Sequence, residues 1–334
     1  MNNSENLMPK TDHHDYLRRR ISPDEKFAKL LEFPRFLEIE TVNTCNARCP
    51  MCTIDEWTRN SPTMKDGLFN KIAEEISAFA SALKRVSLYR DGEPLLDKKL
   101  PDRVATLKEN GVKTVSIATN VSLLNEERAN NLLHAGIDHI IFSIDSLNKD
   151  VFEAIRVRLN FEEVMENALR FIELRNKIRP ETQIVVRMIR QDSNQDEWPE
   201  YKAFWDKKVS PVDRVYYHNI HNWGTQLENF VPIEKSYEPQ LPCVALWSLL
   251  VIFANGDVPL CNVDYNNEYP TGSVLDDSIQ NLWRSKIMTA RRGLHTSGQK
   301  DKIGHCVNCN VWDEPDKGNG LVSADFAEQI ELAG

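Results

Sequence analysis

Runs of alternating and continuous hydrophobic residues predict six β-strands in the first two thirds of the chain. The clearest are Lys84-Arg-Val-Ser-Leu-Tyr-Arg90 and His139-Ile-Ile-Phe-Ser-Ile-Asp145. Both are short and rich in β-branched or aromatic residues, as strands typically are. The predicted strands span residues 36–42, 84–90, 112–118, 138–144, 182–189 and 213–219.

Between these strands, apolar residues recur every three or four positions, which is the period of an α-helix. The two best examples are the sets Leu68, Phe69, Ile72, Ile76, Phe79, Leu83 and Phe161, Val164, Ala168, Phe171, Ile172. Strands that alternate with helices predict parallel βα units, and therefore an α/β fold built as an open sheet or a partial barrel. In either arrangement, functional side chains are expected at the carboxyl ends of the strands.

Polar residues follow most of the predicted strands. They are Asp91-Gly92-Glu93-Pro94, Thr119-Asn120, Ser143-Ile144-Asp145-Ser146, Arg187 with Arg190, and His218 to Trp223. Each has a structural alternative, because Asp-Gly is common in turns, Ser146 can cap a helix and arginines form surface ion pairs. Their coincidence at one end of the sheet favours an active site there.

The C-terminal third contains a different pattern. The run Trp247-Ser-Leu-Leu-Val-Ile-Phe-Ala254 is followed by Asn255-Gly256 and then by Asp257-Val-Pro-Leu260. This pattern predicts a β-hairpin with an Asn-Gly turn. Cys243 and Cys261 flank the two arms, so we expect them to converge at the open end of the hairpin.

Composition narrows the class of protein. The chain has 334 residues and a net charge of −9, from 41 basic and 50 acidic side chains. Without an apolar run of about 18 residues, no transmembrane helix is predicted. The N-terminus has no apolar signal-peptide core, so we expect a cytoplasmic protein. Negative charge without a basic tract argues against nucleic-acid binding.

Seven cysteines fall into two groups, which are Cys45, Cys49, Cys52 and Cys243, Cys261, Cys306, Cys309. An odd number of thiols in a protein that is not expected to be exported suits metal or redox chemistry better than disulfides. Three thiolates on the loop after the first strand suit a [4Fe–4S] cluster with one iron left open, or a zinc knuckle completed by a distant histidine. Four thiolates suit either a closed [4Fe–4S] cluster or a zinc site.

The loop Cys45-x3-Cys49-x2-Cys52, the Asp91-Gly92-Glu93-Pro94 segment and the strand end at Ser143 resemble radical S-adenosylmethionine (SAM) enzymes. The later cysteines resemble the SPASM extension of that family in its shortened Twitch form, because position 315 is proline and no cysteine follows Cys309. The resemblance covers about residues 36–312. It implies a partial (β/α)6 TIM-like barrel with a small auxiliary-cluster domain. The implied segments are an N-terminal extension at 1–35, the barrel at 36–235, the Twitch/SPASM domain at 236–312 and an acidic tail at 313–334.

The resemblance also implies cofactors. The first cysteine group would hold the cluster whose open iron chelates SAM, and the second group would hold one auxiliary [4Fe–4S] cluster. A low-potential reductant such as flavodoxin or ferredoxin would supply electrons. The implied SAM contacts are Met51 for adenine, Gly92 and Glu93 for the methionine amino group, Asn120 and Ser143 for the ribose or carboxylate, and Arg156 for the carboxylate. The family's first glycine of the Gly-Gly-Glu segment is Asp91 here, which makes the backbone less permissive.

The implied chemistry is cleavage of SAM to a 5′-deoxyadenosyl radical, which removes a hydrogen atom from a substrate. A dehydrogenase then passes an electron to the auxiliary cluster, whereas an epimerase often needs a cysteine as hydrogen donor. Because two clusters would use all seven cysteines, a dehydrogenase acting on a sugar, aminocyclitol or sugar nucleotide is favoured. An epimerase, a peptide-modifying enzyme and a non-catalytic iron–sulfur or zinc module remain alternatives.

Four residues are candidates for contact with a small carbohydrate-like substrate. Arg187 can bind a phosphate and His218 a hydroxyl group, and Asp264 is a candidate proton acceptor. Tyr89 is an alternative hydrogen donor, which would weaken the argument from the cysteine count.

Overall fold

The computed structural model describes residues 13–59, 63–227, 241–309 and 311. The first twelve residues of the predicted N-terminal extension, the predicted domain boundary at 235–236 and the acidic tail lie outside the described residues.

The main sheet has seven parallel strands in the order β6-β5-β4-β3-β2-β1-β7. The strands are β1 (Phe36–Ile39), β2 (Arg85–Ser87), β3 (Val115–Thr119), β4 (His139–Ser143), β5 (Gln183–Arg190), β6 (Arg214–Asn219), β7 (Leu249–Ile252), β8 (Asp257–Val258) and β9 (Gly272–Ser273). The α/β class and the six predicted strands are confirmed. β6 and β7 are the edge strands in the described part of the protein, so the sheet there is an open, partial barrel.

Helices connect successive strands, as expected for parallel βα units. They are α1 (His13–Ile21), α2 (Phe27–Leu30), α3 (Asp66–Phe79), α4 (Leu100–Glu109), α5 (Glu126–Ala135), α6 (Lys149–Ile155), α7 (Phe161–Ile178), α8 (Trp198–Asp206), α9 (Ala245–Ser248), α10 (Ile279–Trp283) and α11 (Lys286–Thr296). Asn125, Asn148 and Asn160 cap α5, α6 and α7 by accepting backbone N–H groups, which fixes where these helices begin. No helix in the described residues has the length and apolarity needed to cross a membrane.

The predicted hairpin after Cys243 is wrong. Residues 249–252 pair in parallel with β1, with Phe36 opposite Leu249, whereas β8 pairs with β9. The Asn255-Gly256 turn does form, with Gly256 at a φ of 93° and its N–H donating to the Phe253 carbonyl (2.8 Å). A short apolar run is equally typical of a hairpin arm and of a strand buried in a parallel sheet, so the pattern alone could not separate them.

One face of the main sheet carries buried polar residues. Glu38 lies opposite Ser87, Ser87 opposite Ser116, and Ser116 opposite His139. Residues that are opposite each other in a sheet point to the same side, and the Ser116 hydroxyl lies 2.7 Å from Nδ1 of His139. Strands buried in parallel sheets are usually apolar on both faces. The buried polar row therefore indicates that this face of the sheet does not form part of the hydrophobic core.

Candidate cofactor and substrate site

The loop that follows β1 brings the first three cysteines together. Cys49 and Cys52 interact electrostatically with each other, and both interact with Cys45. Burial raises the thiol pKa of Cys45 to about 11 and that of Cys52 to about 12. The Ala47 N–H donates to Cys45 Sγ (3.4 Å), the kind of contact that tunes a bound iron–sulfur cluster.

The Gly92-Glu93 segment packs against this loop. A Cβ on Gly92 would lie 2.4 Å from the Val42 carbonyl oxygen and 2.7 Å from that of Thr44, so only glycine fits. The Glu93 N–H donates to the Thr44 carbonyl (2.8 Å). The segment therefore holds the start of the cysteine loop against the end of β2.

Glu93 and Asn120 join the end of β3 to the same loop. The Glu93 carboxylate accepts from Thr119 Oγ1 (2.7 Å), the Asn120 N–H (2.8 Å) and the Leu95 N–H (3.2 Å). Asn120 Nδ2 donates to Asn46 Oδ1 (2.9 Å) and lies 3.9 Å from Cys45 Sγ. Both residues thus border the cysteine loop, and their contact with SAM stays a prediction.

Arg156 lies at the end of α6, beside the cysteine loop. Its Nε donates to Asp145 Oδ2 (2.6 Å), and Nη1 lies 3.8 Å from Cys49 Sγ. The predicted partner was the carboxylate of SAM, whereas the observed one is Asp145. A guanidinium has five donor N–H groups, so a second carboxylate can still be bound.

Met51 contacts an aromatic residue from the segment after β6. Trp223 Nε1 donates to the Met51 carbonyl (3.0 Å), and the Trp223 ring lies 4.8 Å from His221 and 6.3 Å from Tyr265. The carbonyl oxygen keeps a second lone pair, so the predicted adenine contact stays open. Trp223 joins the first cysteine loop to the region that follows Cys261.

Asp91, which stands where the family has glycine, takes part in a buried ion network. Its carboxylate lies 3.1 Å from Arg59 Nη2 and 2.7 Å from Arg90 Nη1. Arg59 also forms a bidentate pair with Glu40 (2.8 and 2.9 Å) and stacks 3.6 Å above the Phe253 ring. These four charged side chains are at most 6% exposed.

The other four cysteines line a single cavity, together with Leu246, Leu260, His295, Lys300 and His305. Cys306 interacts electrostatically with the other three, and burial raises the thiol pKa of Cys261 to about 12. His295 Nδ1 accepts from the Cys243 N–H (3.2 Å). The sequence reasoning missed His295, Lys300 and His305, although the last two lie within six residues of Cys306.

The two cysteine groups fit iron–sulfur clusters. In the described residues, no three cysteine, histidine or carboxylate side chains converge closely enough to hold one metal ion. A four-iron cluster takes one thiolate per iron atom, so its ligands stand around the cluster rather than at one point. Iron binds the thiolate form of cysteine, so cluster binding would release the protons of these thiols.

Asp264 serves as an acceptor for backbone groups in the auxiliary loop. It accepts from the N–H groups of Leu260 (3.2 Å), Glu268 (2.7 Å) and Tyr269 (3.1 Å), and it lies 3.6 Å from His305 Nε2. Burial acts to raise its pKa, but the His305 side chain and the three backbone hydrogen bonds together outweigh burial and lower it. Such a carboxylate is a weak base, so Asp264 is poorly suited to the proton-acceptor role that the sequence suggested.

The other substrate candidates meet on the polar face of the sheet. Arg187 Nη2 donates to Ser143 Oγ (3.0 Å), and the His218 ring lies 5.2 Å from that of Tyr216. Burial and the nearby Glu38 carboxylate raise the pKa of Tyr89 to about 12. Sequence reasoning missed Glu38, although an acidic residue within the apolar run Phe36-Leu-Glu-Ile39 was a signal.

Comparisons with known proteins agree with this geometry. Residues 39–189 match the radical SAM superfamily model, and residues 243–310 match the SPASM model of an iron–sulfur cluster-binding domain. A tungsten-containing aldehyde ferredoxin oxidoreductase cofactor-modifying protein of Pyrococcus furiosus is 33% identical over 113 residues, which cover 34% of this chain and 31% of that protein. The chain spans between about a quarter and just over a half of the length of the curated relatives it matches, which include GTP 3′,8-cyclases.

Solved structures of other proteins share the fold. BtrN in complex with AdoMet and 2-DOIA is 20% identical, with a TM-score of 0.59 over 86% of this chain and 98% of that chain. Streptococcus suis SuiB bound to precursor peptide SuiA is 15% identical, with a TM-score of 0.59 over 87% of this chain and 74% of that chain. At these identities the likeness concerns the fold alone. The two matched models show that the chain carries a radical SAM domain at residues 39–189 followed by a SPASM-type domain at residues 243–310, with S-adenosylmethionine and [4Fe–4S] clusters as cofactors.

Proposed function

We propose that the protein is a radical SAM dehydrogenase that oxidises a C–H bond bearing a hydroxyl group in a small carbohydrate-like substrate. The candidate substrate classes are a sugar, an aminocyclitol and a sugar nucleotide. The structural likeness to BtrN, named with 2-DOIA, covers almost the whole of that protein and supports a small molecule rather than a polymer.

In this proposal, Cys45, Cys49 and Cys52 hold the cluster that binds SAM, and the four cysteines of the C-terminal cavity hold the auxiliary cluster. When bound, these groups would supply a hydrogen-abstracting 5′-deoxyadenosyl radical and an acceptor for one electron. The protein's own residues position the cofactor loop through Gly92 and Glu93 and present polar side chains to the substrate. Reduced thiol ligands also suit the cytoplasm, where we expect flavodoxin or ferredoxin to be the reductant.

The observation that carries the proposal is the distribution of thiols. Three of the seven cysteines interact with one another on the loop after β1, and the other four line one cavity. Once both groups are ligands, no thiol is left to return a hydrogen atom to a substrate radical. An enzyme without such a donor is better suited to remove an electron than to invert a centre.

Peptide modification is the second candidate, because the fold is also shared with SuiB bound to its precursor peptide. A peptide epimerase or maturase would act on a C–H bond of the peptide backbone or of an amino-acid side chain. In the dehydrogenase proposal, Arg187 and His218 instead bind hydroxyl or phosphate groups of a small substrate.

The experiment is anaerobic turnover of the reconstituted enzyme in deuterated water, with a panel of 2-DOIA, free hexoses, UDP-hexoses and short peptides. We expect one 5′-deoxyadenosine per ketone formed and no carbon-bound solvent deuterium in the product. A product with the same oxidation state as the substrate and with solvent deuterium on carbon would show that the substrate radical is quenched by a hydrogen donor, for example Tyr89. This result would overturn the proposal. Turnover of peptides alone would favour the second candidate.

A further inference from the structure

Several buried polar atoms on the polar face of the sheet have no hydrogen-bond partner. Among them are Oε2 of Glu38 on β1, Nε of Arg187 on β5 and the hydroxyl of Tyr216 on β6. Gln183 on β5 lies opposite His139, at the end of the polar row that begins with Glu38. Arg187 is four residues beyond Gln183 and lies opposite Tyr216, so the three side chains point to the same face of the sheet. A buried polar group in a protein normally has a hydrogen-bond partner, so these unpaired groups on one face of the sheet indicate a polar ligand.

Glu38 is the acidic member of this group and is only 2% exposed. Its nearest ion pair is with Arg90 Nε, at 3.6 Å. Arg85, Arg187 and Arg90 favour its charged form, whereas burial and the neighbouring Asp91 oppose it. Burial dominates and raises the pKa of Glu38 to about 7. This carboxyl group can therefore take up and release a proton near neutral pH.

Other buried carboxylates near the site are already engaged. Glu40, two residues further along, is held by Arg59 and by the Ala254 N–H (2.9 Å). Asp145 accepts from Arg156 and from the Ile189 N–H (2.7 Å). Glu93 and Asp264 each accept from three donors. Asp91 Oδ1 also has no hydrogen-bond partner, but Arg90 Nη1 lies 2.7 Å from it, whereas the ion-pair contact of Glu38 is 3.6 Å long. Glu38 is thus the carboxylate of this set with the weakest contacts.

We propose that Glu38, Arg187 and Tyr216 form the subsite for the substrate hydroxyl that is oxidised, with Glu38 as its proton acceptor. The inference rests on the proposed dehydrogenation and names the residues that complete it. The substrate carbon gives its hydrogen atom to the 5′-deoxyadenosyl radical, and the O–H bond breaks with its proton passing to Glu38. The remaining electron goes to the auxiliary cluster, so the carbinol becomes a ketone by losing two hydrogens in total. Arg187 and Tyr216 donate hydrogen bonds to the oxygen.

The first test follows protonation directly, without turnover. Infrared spectra of the holoenzyme are recorded between pH 5 and 9 for the native protein, Glu38→Gln and Glu40→Gln. We expect a carboxylic-acid band that titrates with a midpoint near 7 in the native protein. The band should be missing in Glu38→Gln and retained in Glu40→Gln, the matched change on the same strand. A native protein with no such band, or with the same band in Glu38→Gln, would overturn the proposal.

The second test follows the product from the panel. We expect Glu38→Gln to keep its iron content and to release 5′-deoxyadenosine, while ketone formation falls at least about 100-fold, the usual effect of losing a general base. Glu38→Asp should recover part of the rate, and kcat/KM of the native enzyme should rise with pH through about 7. Full ketone formation by Glu38→Gln would refute the subsite while leaving the dehydrogenase intact. If no panel member yields ketone, the proposed function fails, and the infrared titration still decides the state of Glu38.

Discussion

Replacement of Arg59 by methionine tests whether the buried ion network holds the first cysteine loop to the rest of the protein. The guanidinium makes a bidentate pair with Glu40, lies 3.1 Å from Asp91 and stacks on Phe253. Methionine keeps much of the apolar stem but removes the charge. Asp91 retains Arg90 at 2.7 Å, whereas Glu40 loses its ion-pair partner.

The expected loss follows from the burial of both partners. The Glu40 side chain is 0% exposed and that of Arg59 is 6% exposed. Removing one partner of such a pair leaves an uncompensated buried charge, which typically costs about 3–5 kcal/mol. Glu40 also accepts a hydrogen bond from the Ala254 N–H, which still stabilises its charge in the variant. We therefore expect the free energy of unfolding to fall by an amount at the lower end of that range, ~3 kcal/mol.

The assay is anaerobic urea unfolding of the holoenzyme, followed by tryptophan fluorescence. The double variant Arg59→Met with Glu40→Gln should recover part of the loss, because neither partner is then charged. Asp91→Gly restores the family's glycine and leaves the pair of Arg59 with Glu40 intact, so it serves as the control and should cost less. If Arg59→Met lost less than about 1 kcal/mol, or the double variant recovered nothing, the pair would contribute no more than an exposed ion pair does. Either result would refute a stabilising role for the buried pair.

Three further predictions concern the loops and the polar face. Gly92→Ala should lower the iron content of the first site, because its Cβ would lie 2.4 Å from a carbonyl oxygen of the cysteine loop; a fully loaded variant in an iron assay would contradict this. Cys306→Ser should lose the auxiliary cluster but keep 5′-deoxyadenosine formation, whereas Cys49→Ser should lose that activity, as liquid chromatography can show. The free energy of unfolding of Glu38→Gln, relative to that of the native protein, should increase as pH rises from about 4.5 to above 7. The raised pKa of Glu38 means that the native fold binds this proton more tightly than the unfolded state does, so its stabilisation is lost as pH rises. The full effect is ~3 kcal/mol at 1.36 kcal/mol per pKa unit, and parallel stability curves for the two proteins would count against it.

Sequence patterns predicted the main helices and strands well because alternation and helical spacing depend on residues that are close together along the chain. Alternation and helical spacing placed the strands of the 36–219 region to within a few residues, and the spacing of Cys45, Cys49 and Cys52 indicated one loop. Cys243 and Cys261 converge with two cysteines that follow more than 40 residues later, and only the folded structure shows that all four line one cavity. The predicted hairpin does not explain this convergence, because β7 pairs with β1 and β8 pairs with β9.

Asp264 shows where residue chemistry alone misleads. A carboxylate three residues after the expected ligand Cys261 is a reasonable base in sequence, but three backbone N–H groups of the folded loop donate hydrogen bonds to it. Those hydrogen bonds stabilise the charged form and lower its basicity. Glu38 is the reverse case, because an acidic residue inside a strand gives no sign of its partners until neighbouring strands are in place.

The sequence by itself determined the α/β class, the resemblance to radical SAM enzymes and the division of seven cysteines into three and four, since these depend on spacing along the polypeptide. Only the tertiary structure decided that residues 249–252 join β1 as a seventh strand, and that Glu38, Arg187 and Tyr216 lie on one face of the sheet. Both depend on which strands become neighbours. Neighbouring strands are chosen by burial and hydrogen bonding across the whole sheet, so no local pattern carries that information.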